Sequence, residues 1–179
     1  MTDANCYYFC RNAQSNQKDG SIKFHPELAV FSNFENNHPI KLDDGRIALS
    51  GEHYFQALKH SENEELFNSI LQAKTQTGRS SPALSKKLGR GSKKTGVGIL
   101  TKEQVQKWNM TRNAEMYKVI MAKFSQHEDL KLILLGTGNS LLIENAPWDS
   151  YWGIGRNGKG LNMLGKTLMK VRDDIRESE

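Results

Sequence analysis

Pro39-Ile40-Lys41-Leu42-Asp43-Asp44-Gly45-Arg46-Ile47-Ala48-Leu49-Ser50-Gly51-Glu52-His53-Tyr54-Phe55-Gln56 holds two kinds of local signal in one stretch. Its first half is two short apolar runs broken by Asp44-Gly45. Glycine takes positive φ without strain, so the pattern predicts a hairpin within residues 38–50. Ser50 then offers a hydroxyl to orphan backbone N–H groups, which predicts a helix from about Gly51 to His60. A hairpin running straight into a helix points to an α+β chain.

The flanks extend that reading. Residues 7–11 and Leu141-Leu142-Ile143 read as strands. Leu66, Phe67, Ile70 and Leu71 share one face of a second helix. Residues 75–100 are rich in Gly, Ser, Thr and Lys, with a short helical insert opened by Ser81-Pro82 and closed near Gly89. Thr101 and Gln104 form a capping box for the longest helix, whose apolar spacing is Val105, Trp108, Met116, Val119 and Ile120. Leu130, Ile133 and Leu134 mark a helix ending at Gly136, and Leu164, Leu168, Val171 and Ile175 mark the last one. The fold class is helix-rich α+β, a single domain over residues 1–179 with a small antiparallel sheet.

Composition narrows the function classes. Of the 179 residues, 37% are apolar and 25% charged, enough for one modest core. No apolar run approaches the ~18 residues of a membrane span, and the N-terminus lacks a basic-then-apolar leader. A cytoplasmic or nuclear location is expected, with no membrane partner. Cys6 and Cys10 then read as reduced structural thiols, and no cluster of further ligands predicts a metal. The sequon Asn109-Met110-Thr111 is idle in that location. Net charge is +5, with basic clusters at Lys86, Lys87, Arg90, Lys93 and Lys94 and at Arg156, Lys159, Lys166, Lys170 and Arg172. Such clustering suits a phosphate-bearing ligand or nucleic acid, and equally a solvated basic face.

Two nucleotide-binding motifs occur by letter and lack their context. Gly153-Ile154-Gly155-Arg156-Asn157-Gly158 fits G-x-G-x-x-G, but no strand follows it to build a βαβ unit. Gly160 to Thr167 fits G-x-x-x-x-G-K-[ST], but the spacing of Leu164, Leu168 and Val171 puts it on a packed helix.

Glu52, Gln56 and Lys59 fall on one face of the predicted helix. Glu52 has two roles open to it, a helix-start acid favoured by the dipole or a pocket carboxylate. His53 is adjacent in sequence but faces elsewhere. Asp149 lies among Trp148, Tyr151 and Trp152. Those rings suit stacking on a base or sugar, or anchoring of a loop. Arg112, one turn after Trp108, needs an anion, either a structural carboxylate or a ligand phosphate.

Several motifs recur in order: Phe31-Ser32-Asn33-Phe34, Ser50 to Gln56 with Lys59, Leu88-Gly89-Arg90, and Trp108-Asn109 with Arg112. Met121-Ala122-Lys123-Phe124, Asp149-Ser150-Tyr151-Trp152-Gly153 and Gly158-x-Gly160-x-Asn162-x-Leu164-Gly165 follow. From about residue 24 to 176 the chain thus resembles the NADAR, or YbiA-like, family. The resemblance implies a compact helical domain with no metal or cofactor, and an N-glycosidase that cleaves a base nitrogen from the anomeric carbon of a ribose. It implies ADP-ribose on guanine in nucleic acid as the first substrate class. Phosphoribosylated amino-uracil intermediates of riboflavin synthesis are the alternative, and a non-catalytic ADP-ribose-binding module the third reading. Carried over, Glu52, Asp149 and Trp152 form the catalytic set. Asn33, Phe34, Tyr54, Gln56, Lys59, Arg90, Trp108, Arg112, Tyr151, Gly153, Gly155 and Asn162 contact substrate. The segment Gly91 to Leu100 looks longer than in short bacterial members. The oligomeric state is not specified.

Overall fold

The predicted hairpin forms: Ile40 pairs with Ala48 and Lys41 with Ile47, antiparallel. These results come from a computed structural model, which describes residues 6–10 and 26–178. In chain order the strands are β1 (Cys6–Phe9), β2 (Ile40–Lys41), β3 (Ile47–Ala48) and β4 (Leu141–Glu144). The helices are α1 (Gly51–Leu58), α2 (Glu64–Leu71), α3 (Pro82–Arg90), α4 (Lys102–Gln126), α5 (Glu128–Gly136) and α6 (Met163–Glu177). A 3-10 turn spans Pro26–Phe31. The expected helix-rich α+β class is what folds. Of the predicted strand 7–11, Arg11 lies outside the described residues, as does the start of the family-like stretch at residue 24.

The chain divides into two compact units, Asn36–Gln126 and Met1–Glu35 with His127–Glu179. In the first, the β2–β3 turn is locked by Asp44, which accepts from the Arg46 backbone N–H at 3.0 Å and pairs with its guanidinium at 2.5 Å. Arg46 also lies over the Phe67 ring at 4.4 Å. Gln126 at the end of α4 borrows the hairpin edge, donating to the Lys41 carbonyl and accepting from its N–H, both at 2.8 Å. Ser50 caps α1 as expected, its hydroxyl accepting from the His53 N–H. All of α1 from Gly51 to Ala57 is buried, so even its polar residues lie inside. It packs against α2, α3 and α4.

The capping box of α4 forms in both directions, at 2.9 and 3.2 Å. Its apolar stripe is shorter than the spacing predicts. Val105 is 42% exposed, and burial begins at Met116. The first turns of α4 touch the unit through Trp108, whose ring lies 5.0 Å from that of Phe55.

In the second unit β1 and β4 pair in parallel, from Cys6 with Leu141 to Phe9 with Glu144. A parallel pair needs a long crossover, and here it joins strands from distant parts of the sequence. Among the described residues the expected small antiparallel sheet is instead two separate pairs, one antiparallel and one parallel. α6 lies against β4 so closely that a Cβ on Gly165 would collide with the Leu142 carbonyl. Among the described residues, no helix is long and apolar enough to cross a membrane.

Candidate active site

The buried polar stripe of α1 is the chemical centre of the Asn36–Gln126 unit. Glu52 is 5% exposed. Gln56, one turn on, donates from Nε2 to Glu52 Oε1 at 2.8 Å, and its own Oε1 accepts from Lys59 Nζ at 2.7 Å. Carboxylate, amide and ammonium are thereby strung along one helix face, at the i, i+4 and i+3 spacings that bring side chains together. Burial pushes the Glu52 carboxyl above its ordinary value, against the opposing pull of Lys86, the Gln56 hydrogen bond, Lys59 and Arg90. Lys59 is brought down to about 8, chiefly by burial and also by Lys86 and Arg90, while Glu52 holds it up. Its ammonium lies 5.9 Å from the Phe55 ring centre and 5.7 Å from that of Trp108.

Lys86 and Arg90 sit one turn apart on α3, which Pro82 and the Ser81 cap start and Gly91 ends. Three cations thus act on one buried carboxylate, so the site carries a net positive charge suited to a phosphate-bearing ligand. The close seating of α3 on α1 depends on Gly89. A Cβ there would collide with Gln56 Oε1 and come within 2.8 Å of Gln56 Cβ. The Gly89 carbonyl meets His60 Nε2 at 3.2 Å. Sequence reading put Lys86 in a basic cluster only; its i, i+4 spacing to Arg90 is the signal that joins it to the site.

His53 points away from Glu52, between Ser50 Oγ at 2.7 Å and the Ala73 carbonyl at 2.9 Å, and burial lowers its pKa. Tyr54 also turns from the stripe, its ring 6.0 Å below Lys118 Nζ. Arg112 is half-buried on α4.

The other residues singled out lie in the second unit. Asn33 is buried just after the 3-10 turn, and the Phe34 N–H donates to Ser32 Oγ at 3.2 Å. Asp149 Oδ1 accepts from the backbone N–H groups of Tyr151 and Trp152, at 2.9 and 2.8 Å. Those two rings meet edge to face, 5.0 Å apart. Gly153 and Gly155 allow the loop to close: a Cβ on the first would reach 2.8 Å from Ala146 Cβ, and the second has φ 65°. Asn162 is in the left-handed region at φ 51°, and its amide spans β4, donating to the Leu142 carbonyl at 2.8 Å and accepting from the Glu144 N–H at 2.9 Å. The first N–H groups of α6, Met163 and Leu164, donate to the carbonyls of Tyr151 and Trp152 at 3.0 Å. Thr167 bonds its hydroxyl back to the Met163 carbonyl at 2.8 Å. The phosphate-loop lettering here therefore spells a helix start whose first two donors are already used.

Comparison with known proteins gives a consistent set of relatives. The NADAR domain family matches residues 8–176, which run through both units. The chain is 39% identical over 148 residues to the N-glycosidase Npun_R5314 of Nostoc punctiforme, covering 82% of this chain and 85% of that protein. It is 34% identical over 160 residues to the N-glycosidase YbiA of Escherichia coli K12, covering 88% and 90%. The solved NMR structure of the E. coli protein YbiA superposes with a TM-score of 0.69 at 31% identity, over 96% of this chain and 86% of that one. The riboflavin biosynthesis protein PYRR of Zea mays is 33% identical over 165 residues, 86% of this chain and 25% of that longer protein.

Proposed function

Since this chain belongs to the NADAR family and is an N-glycosidase, we propose that the bond it hydrolyses joins the anomeric ribose carbon of ADP-ribose to guanine in nucleic acid. The observation that carries this reading is Glu52, buried and hydrogen-bonded by Gln56, with Lys59, Lys86 and Arg90 acting on it. Breaking an N-glycosidic bond develops positive charge at the ribose carbon. A carboxylate beside that carbon stabilises the charge and takes a proton from attacking water. Water's oxygen joins the carbon and keeps one proton, and the base leaves with the bonding electron pair and takes up a proton at its nitrogen, balancing the one that Glu52 receives. Gln56 fixes the Glu52 oxygen that it donates to. Lys59, Lys86 and Arg90 hold the phosphates, with Arg112. The family motifs of the other unit, Asp149 with Tyr151 and Trp152, and Asn33, Phe34, Gly153, Gly155 and Asn162, are assigned substrate contacts on the resemblance. The whole chain acts as one NADAR domain.

The continued basic run, Lys86, Lys87, Arg90, Lys93 and Lys94, supports a polymer substrate, because extended positive charge is rewarded by successive phosphates. A second reading, hydrolysis of phosphoribosylated amino-uracils, is supported by the likeness to a riboflavin biosynthesis protein. The test is incubation with guanine-ADP-ribosylated oligonucleotide beside an amino-uracil ribotide, following released base or sugar. Release from the oligonucleotide alone upholds the first reading, and release from the ribotide alone replaces it with the second. ADP-ribose binding without release from either would make the domain a recognition module.

A further inference from the structure

Beside the Glu52 stripe, in the same unit, lies a cavity of about 390 Å³, within the range of small-molecule sites. It opens between the end of α1, the segment Gly98 to Leu100 and the first turns of α4. Lys59 and Trp108 line it, so it shares a wall with the stripe. Glu52 does not line it. From the carboxylate the path to the wall is two hydrogen bonds, 2.8 Å to Gln56 and 2.7 Å from Gln56 to Lys59.

We propose that this cavity is the subsite for the leaving base, a neutral planar heterocycle that enters beside Trp108 while its ribose carbon stays at Glu52. The inference rests on the N-glycosidase reading and adds to it where the base goes.

Charge is the first argument. Around Glu52 three cations face one carboxylate. Around the cavity Lys59 and Lys107 are matched by Glu62 and Glu115, and Lys107 pairs with Glu62 at 2.8 Å. An anionic diphosphate is drawn to the cations of α3, and an uncharged ring loses nothing in the cavity. Distance is the second. A base is bonded directly to the ribose carbon, so its subsite must adjoin the carboxylate site, and the cavity does so through Lys59, the end of the Glu52–Gln56–Lys59 stripe. The remote end of a dinucleotide is under no such constraint. Chemistry is the third. Leu66 and Ile99 supply aliphatic walls, Trp108 an aromatic one, and Asn63, Gln104 and Thr111 polar edges. Few convergent polar groups on an apolar wall are how proteins hold a nucleobase turned out of its strand. The wall at Gly98 to Leu100 belongs to the segment that looks extended relative to short family members, so it sets which ring fits.

The pocket is tested by titrating the full chain with guanosine, and separately with ADP-ribose, while following indole and amide resonances by NMR. Guanosine is expected to move the Trp108 indole and the Ile99 and Gln104 amides. Thr111→Phe, which projects a ring into the cavity from an exposed helix position, should weaken guanosine at least tenfold and change ADP-ribose less than twofold. Ile99→Phe, on the loop wall, gives the same readout should the first variant fold poorly. Guanosine affinity unchanged in a folded variant, or shifts that avoid the cavity, overturns the proposal. Turnover of the ADP-ribosylated oligonucleotide is measured in parallel. Turnover without guanosine shifts at the cavity sinks the subsite alone. Shifts at the cavity without release from any ribosylated base sink the glycosidase reading and leave a base-binding site.

Discussion

Gln56 holds Glu52 by a 2.8 Å hydrogen bond from one turn along the same helix. The amide has no charge to give, so it orients the carboxylate without neutralising it. A salt bridge in the same place would have removed the negative charge that an oxocarbenium-like centre needs.

Glu52→Gln should therefore lower turnover by about 10²–10⁴-fold, the usual contribution of a positioned acid–base group. It should also raise Tm. Burial lifts the Glu52 pKa, so the folded chain binds this proton more tightly than the unfolded chain does. Above the ordinary carboxylate range that difference works against folding, and it grows as pH rises through the elevated value. Kinetics and thermal melts at neutral pH check both parts; normal turnover in a folded variant would remove Glu52 from the mechanism.

Lys59 predicts a basic limb. Its value of about 8 means that the ammonium is lost as pH rises through that point, and KM for a phosphate-bearing substrate should climb there. Lys59→Arg, which stays charged, should abolish that limb. The stability sign is the opposite of a paired lysine's. Between about 8 and 10.5 the unfolded chain binds more protons, so stability rises with pH across this window, and the cost is fully present below it.

Gly89→Ala sets two effects against each other. Helix propensity alone favours Ala by about 1 kcal/mol. The new methyl collides with the Gln56 side chain, and such overpacking costs about 1–3 kcal/mol. Net destabilisation with reduced turnover is expected, read by denaturant titration and kcat; a stabilised variant would mean that α3 slides freely on α1.

Asp149→Asn and Asp149→Ala separate two roles. Asn keeps an acceptor for the Tyr151 and Trp152 N–H groups, whereas Ala leaves both without one, at a cost of about 1–3 kcal/mol. Asp149→Asn should keep the wild-type melt and lose turnover at least tenfold. Full turnover in that variant would reduce Asp149 to a loop brace.

Polymer recognition predicts salt dependence. Replacing Lys93 and Lys94 together by Ser should flatten the slope of log affinity against log salt for the modified oligonucleotide by about 1–2. An unchanged slope would place the strand elsewhere.

Local signals made much of this readable in advance. Ser50, Asp44-Gly45, the Thr101–Gln104 box and the Glu52–Gln56–Lys59 stripe each depend on residues within a few positions, and each appears as its chemistry dictates. The parallel pairing of Cys6–Phe9 with Leu141–Glu144 was beyond such signals, because no short-range pattern names a partner so far along the chain. The bracing of β4 by Asn162 was unread for a similar reason: the sequence marked Asn162 as a substrate contact, and nothing local shows that its amide bonds the Leu142 carbonyl and the Glu144 N–H. Val105 follows the helical period and is exposed all the same, since periodicity marks a face and not the depth of what covers it.

Gly91 and Gly98 have φ of 71° and 72°, and a Cβ on Gly91 would run into the Gly98 carbonyl. Ser92 N–H closes the same neck on the Val97 carbonyl at 2.8 Å. The six positions between those two glycines form a cassette clipped at its base. Its length and charge are open to change by insertion or deletion, and the helices on either side need not register the edit. A lineage with this clip has a place to try new substrates without refolding α1.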